Sequence, residues 1–199
     1  MTPVTAARSI RLATALLLIA TPALAHTTQG LGAGFLSGFR HPLNGIDHLL
    51  AMIAVGIWGT QLGQPAIWLL PVTFPLVMSV GGALGVRGVP MPGVEIGVAA
   101  SALVLGVMIM LAARPRITVA AILVGVFAIF HGYAHGAELP RAADPLAYGV
   151  GFVLVTGLLH ASGIAIALID RWALGALALR AMGAAIGVVG LYLLAGLVR

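Results

Sequence analysis

PAIWLLPVTFPLVMSVGGALGV, residues Pro65–Val86, runs without a single ionisable side chain until Arg87 ends it. A helix needs about 20 predominantly apolar residues to cross the hydrocarbon core of a bilayer, and this stretch supplies them. Working outward, similar apolar segments recur between Gly, Pro and Arg punctuation. Six spans are read: Leu43–Gln61, Pro65–Val86, Gly93–Ala113, Arg116–Ala134, Pro145–Ile169 and Ala176–Val198. The composition agrees, with 61% hydrophobic residues, 8% charged residues and a mean hydropathy of +1.13. So few charges cannot cover the surface of a soluble domain of 199 residues. The expected fold is all-α: a polytopic bundle of six transmembrane helices in the lipid bilayer.

The N-terminus, MTPVTAARSIRLATALLLIATPALAHTTQG, is read differently. Arg8 and Arg11 form a basic region, Leu12 to Ala20 an apolar one, and Ala23-Leu24-Ala25 an A-x-A cleavage site. This is the pattern of a cleavable secretory signal peptide over residues 1–25, leaving 26–199 as the membrane domain. The alternative is an uncleaved first helix, but its apolar run is short for a span. Cleavage after Ala25 would make His26 the new N-terminus, pairing a free amine with an imidazole that could chelate a divalent ion. Gly30–Phe39, GLGAGFLSGF, is too short and Gly-rich for a span and reads as a half-helix leading into the first one.

Glycine makes up 27 of 199 residues, and runs such as Gly81-Gly82-Ala83 and Gly183-Ala184-Ala185 fall inside spans. Small residues let helices approach closely where lipid provides no hydrophobic drive for association. The formal charge of +5 comes from ten basic residues, all arginine. They are scattered singly over loops and helix ends, which suits anchoring at the bilayer interface and does not suggest a nucleic-acid partner. A cleaved signal would put the mature N-terminus in the periplasm of a bacterial cell, with the protein in the inner membrane. Arg114, Arg116 and Arg171 would then be cytoplasmic and Arg40, Arg87, Arg141 and Arg199 external, so the distribution of arginines does not itself decide orientation.

Ionisable groups in or beside spans are costly and mark functional candidates. In HPLNGIDHLLAM, Pro42 suits the first turn of a helix. If the segment is one helix, His41 and His48 share a face, as do His48 and Met52, while Asp47 lies about 100° round. From there Asp47 could ligate an ion or orient an imidazole. In FHGYAHGAELP, His131, His135 and Glu138 are spaced i, i+4, i+7 and stack along one helix face. Gly132 and Gly136 would let a neighbouring helix or an ion approach. Glu95 begins the third span on the same outer side, so three helices would bring imidazoles and carboxylates to one membrane level. The chain has no cysteine, so thiolate sites are excluded, and an imidazole–carboxylate set suits nickel or cobalt rather than copper(I). His160, deep in the fifth span, reads first as a hydrogen-bonded packing residue, with a place along an ion path open. Asp144 and Asp170 read as helix-end groups, and Met52, Met78, Met108 and Met110 as packing.

HPLNGIDH at His41–His48 and FHGYAHGAE at Phe130–Glu138 resemble the HupE/UreJ family, the hydrogenase- and urease-accessory nickel permeases. The signal peptide and six spans also resemble that family, so the likeness covers essentially the whole chain. It implies entry of Ni²⁺ into the cytoplasm for hydrogenase or urease maturation proteins, while the ligand types accept Co²⁺ equally. It further implies that His41, Asp47, His48, His131, His135 and Glu138 serve metal transport, with Glu95 a further acidic position. No Walker A run is present, which fits a passive or ion-coupled permease better than a pump. Two other classes use the same clusters: a membrane metalloenzyme with Glu138 as base, for which H-E-x-x-H is missing, and a b-type haem protein with axial histidines from two helices.

Overall fold

The computed structural model describes residues 31–139 and 144–197. The signal-peptide reading of residues 1–25 and the chelating reading of His26 lie outside the described residues. Within them the fold is entirely helical: α1 (Leu31–Asn44), α2 (Ile46–Leu62), α3 (Ala66–Val86), α4 (Val94–Met110), α5 (Ile117–Ala137), α6 (Pro145–Ala167) and α7 (Gly175–Leu197). A single 3₁₀ turn, Leu168–Arg171, follows α6. Helices α3, α5, α7 and α6 with its 3₁₀ extension are each long and apolar enough to cross a membrane. The α1–α2 pair passes the same test as one broken span. The architecture is that of a multi-pass membrane protein.

Helix α4 is shorter than the third span read from the sequence, with 17 residues ending at Met110. Just beyond it Ala112 takes a φ of 47°, which turns the chain out of the helix. At 1.5 Å per residue, 17 residues span about 25 Å against a hydrocarbon core of about 30 Å. Helix α2 has the same length and is the most enclosed element, with Ala51, Met52, Ala54, Val55, Ile57 and Trp58 fully buried. It touches α3, α4, α6 and α7. At its far end Trp58 donates to the Ala113 carbonyl (3.0 Å) and Gln61 to the Ile109 carbonyl (3.3 Å), tying α2 to the end of α4.

The strongest helix pairings skip sequence neighbours: α3 with α5, α4 with α7, and α1 and α2 with α6. The α3–α5 contact is made by glycines, as a Cβ at Gly132 would overlap the Met78 carbonyl oxygen and one at Gly136 that of Gly82. Of the two approaches expected at Gly132 and Gly136, the helix is the one observed. Large apolar side chains such as Leu76, Ile122, Leu146 and Leu177 face outward, as lipid-facing positions do. Exposed Trp68 and Trp172 lie at one end of the bundle and exposed Tyr192 towards the other, the placement of interfacial aromatic anchors.

The main departure from the sequence reading is at Gly45. His41-Pro42-Leu43-Asn44 does not begin the first span; it is the last turn of α1, with Pro42 inside that helix. The chain then bends by 85° before α2 starts at Ile46. His41 and His48 therefore do not share one helix face, because Gly45 adopts an extended conformation (φ −102°, ψ 116°) between them. The half-helix expected at Gly30–Phe39 is real but longer, and α1 crosses the first turns of α6, where Gly38 meets the Tyr148 backbone.

Candidate metal centre

The bend, the C-terminus of α5 and the N-termini of α4 and α6 meet at one end of the bundle. There the imidazoles of His48, His131 and His135 converge, one donor atom from each lying within 4.8 Å of the others. A second group, His41, His135 and Glu138, meets the same limit and shares His135 with the first. An ion bound at about 2.1 Å to imidazole nitrogen spans at most about 4.2 Å between opposite donors. At the 4.8 Å limit two donors would have to close by a total of about 0.6 Å to hold one ion. The rings are in contact, with centroid separations of 4.3 Å for His48–His135, 4.7 Å for His48–His131 and 4.8 Å for His41–His135.

The two groups differ in environment. His131 and His135 are 0% and 5% exposed, whereas Glu138 stands largely in the open beside His41, whose Nε2 lies 3.1 Å from Glu138 Oε2. Helix α5 carries His131 and His135 one turn apart, and Glu138 follows directly after its last helical residue. Spacing along one helix is therefore the physical reason these three line up. His41 and His48 arrive from two different helices, brought to the same place by the bend.

Hydrogen bonds decide which nitrogens face inward. Asp47 Oδ1 sits 2.8 Å from His48 Nδ1 and also accepts the His48 backbone N–H at 2.8 Å. A carboxylate only accepts, so Nδ1 carries the proton and Nε2 keeps its lone pair. Ser101 Oγ donates to the Val98 carbonyl (2.6 Å) and lies 2.9 Å from His131 Nε2. With its own proton committed, Ser101 accepts from Nε2–H, leaving the lone pair on Nδ1. His48 Nε2, His131 Nδ1 and both ring nitrogens of His135 are buried with no hydrogen-bond partner among the described residues. Each such orphan costs about 1–3 kcal/mol. A bound cation would satisfy the lone pairs of His48 Nε2, His131 Nδ1 and one nitrogen of His135.

Asp47 and Glu95 are in neither group. They line a cleft of ≈ 270 Å³ together with His48, Glu138, Val94, Val98, Ala99, Ala134, Leu193 and Leu197. Three carboxylates in one cleft raise the local concentration of cations. Asp144 lies apart and caps α6, accepting the Ala147 N–H at 2.7 Å. Ser101, Phe74, Tyr148 and Phe152 were not singled out in the sequence, yet the Phe152 ring lies 4.4 Å from His135, the Phe74 ring 5.4 Å from His131 and the Tyr148 ring 5.9 Å from His41. Only Ser101 left a trace, as the one polar side chain in the otherwise apolar run from Ile96 to Leu111.

No solved structure matches the protein. The family model described as HupE / UreJ protein matches residues 14–193. Protein HupE of Rhizobium leguminosarum bv. viciae is 40% identical over 187 residues, covering 94% of this chain and 98% of the relative. With a family model matched over nearly its whole length and a relative at that identity, the protein belongs to the HupE/UreJ family.

Proposed function

We propose that the protein is a permease that admits a divalent transition metal to the cytoplasm, with Ni²⁺ as first substrate and Co²⁺ as second. One observation carries this reading: three histidines, two of them buried, converge with four ring nitrogens that have no hydrogen-bond partner among the described residues. A soluble ion must shed water to cross, and lone pairs held in place can replace that water. Imidazole and carboxylate donors suit nickel and cobalt, and the resemblance to accessory nickel permeases selects nickel between them.

In this reading the signal peptide is cleaved after Ala25 and the mature N-terminus is periplasmic in the bacterial inner membrane. The bent α1–α2 pair makes the first crossing and the short α4 the third, six in all with α3, α5, α6 and α7. Asp47, Glu95 and Glu138 draw the cation into the cleft. His41, His135 and Glu138 capture it, and His135, common to both groups, passes it to His48 and His131. Asp47 acts from behind His48, holding the tautomer that leaves Nε2 free. Conduction asks for donors good enough to replace water yet too weak to trap the ion. Overlapping sites that share one ligand meet that demand, because each transfer breaks only part of the coordination shell. The metal then supplies hydrogenase or urease maturation proteins.

The test is ⁶³Ni²⁺ uptake by cells expressing the protein, beside a His131→Ala/His135→Ala variant at matched membrane level. Uptake lost in the variant is the expected result. Wild-type uptake no greater than that of empty-vector cells would overturn nickel import.

A further inference from the structure

Below the histidine cluster, helix α6 carries a buried row at four-residue intervals: Tyr148, Phe152, Thr156 and His160. Its upper members belong to the surroundings of the cluster, Tyr148 packing on His41 and Phe152 on His135. Its lower members do not. His160 is 1% exposed and Thr156 fully buried, and neither is within either metal-ligand group.

His160 Nδ1 lies 2.8 Å from the Met52 carbonyl oxygen on α2. A carbonyl only accepts, so Nδ1 carries the proton and Nε2 keeps a bare lone pair. Among the described residues that buried Nε2 has no hydrogen-bond partner, nor has Thr156 Oγ1 one turn before it. The arrangement repeats the device found at His48 and His131: one ring nitrogen anchored as a donor, the other left free as a ligand. The Phe74 ring on α3 packs against both levels, 5.4 Å from His131 and 5.4 Å from His160. An interhelical tie alone would use Nδ1 and gain nothing from an orphaned Nε2 in a region this dry.

We infer that His160, with Thr156 one turn before it, is a third and deeper coordination station for the transported cation, with the Phe74 ring packed against both this level and the outer histidines. This rests on the permease reading. The ion leaves His131 Nδ1 and takes up His160 Nε2, with the Thr156 hydroxyl oxygen as a further donor. At this depth no carboxylate is present among the described residues, so the station holds the divalent ion weakly and releases it onward.

Two substitutions separate a ligand from a tie. In His160→Asn the amide can still donate to the Met52 carbonyl but no longer reaches the Nε2 position. In His160→Gln the amide oxygen reaches that position and the tie is weakened. ⁶³Ni²⁺ uptake by cells is measured beside equilibrium binding of ⁶³Ni²⁺ to the purified full chain in detergent. The expected result is H160N with wild-type equilibrium binding at the outer histidines but uptake reduced about tenfold or more, and H160Q retaining clearly more uptake than H160N. Wild-type uptake by H160N, or H160Q no better than H160N, would overturn the inference. So would loss of equilibrium binding in H160N, since that marks a structural role. Failure of the wild type itself to take up nickel would instead overturn the permease reading.

Discussion

Replacing Ser101 by alanine removes one oxygen from a fully buried position and leaves the helix backbone undisturbed, since alanine is the best helix former. In the native protein Ser101 gives its proton to the Val98 carbonyl and accepts the His131 Nε2–H at 2.9 Å. Without that oxygen the N–H has no partner in a site that is 0% exposed, at a cost of about 1–3 kcal/mol. His131 then has no reason to keep its proton on Nε2, because Nδ1 is equally unpartnered. The proton divides between the two nitrogens and the ring loses its fixed orientation. Removing the group that orients a ligating histidine weakens metal binding by about 10–100-fold, or about 1.4–2.8 kcal/mol at about 1.4 kcal/mol per tenfold. The two ranges overlap, so a rise of about tenfold or more in the half-saturating Ni²⁺ concentration is the expected outcome for Ser101→Ala. Initial rates of ⁶³Ni²⁺ uptake across a concentration series, at matched membrane level, measure it. An unchanged half-saturation would refute the reasoning, showing either that His131 does not bind through Nδ1 or that Ser101 does not hold it there.

Gly45→Ala should impair uptake without unfolding the bundle, since a Cβ there would lie 2.8 Å from Asp47 Oδ1 and 2.9 Å from His48 Nδ1 and push apart the pair that sets the His48 tautomer. Wild-type uptake by that variant would show that the pairing is dispensable. Uptake should also fall as external pH is lowered, because a protonated imidazole has no lone pair left for a metal. The sign is fixed by the chemistry, so uptake that rose with acidity would count against imidazole ligation. Glu138→Gln keeps shape but removes the charge of an exposed carboxylate at the mouth of the site. Its uptake defect should shrink as ionic strength rises if Glu138 acts through its field; a defect independent of salt would identify it as a direct ligand.

How much of this could be read from the sequence follows from what sequence spacing measures. His131, His135 and Glu138 were legible as one line because a single regular helix, α5, sets their geometry. The family was legible for the same reason, as its two motifs are contiguous. Glu95 was read to the correct end of the bundle because span order alone fixes which ends coincide. The first cluster was misread where regularity fails. HPLNGIDH looks like the opening of a span, since nothing local distinguishes Gly45 as an extended hinge from Gly45 as one more small helical residue. What fixes the hinge is tertiary: α1 can cross α6 only where Gly38 meets Tyr148 and Gly151 meets Phe35 backbone to backbone. The cost of the misreading was specific. On one helix, His41 and His48 would belong to one ligand set; across the bend they divide between an outer group with Glu138 and an inner group with His131. Sharing of His135 between two sites was invisible for the same reason, because it depends on two helices meeting a third. Ser101 and Thr156 were hidden differently, and His160 was noted in the sequence with its place along an ion path left open. A lone serine or a single deep histidine carries no spacing signature, and its meaning comes only from a partner far along the chain, His131 for one and the Met52 carbonyl for the other. Periodicity therefore locates candidate ligands that share a helix, while the groups that would orient them become visible only once the helices are packed.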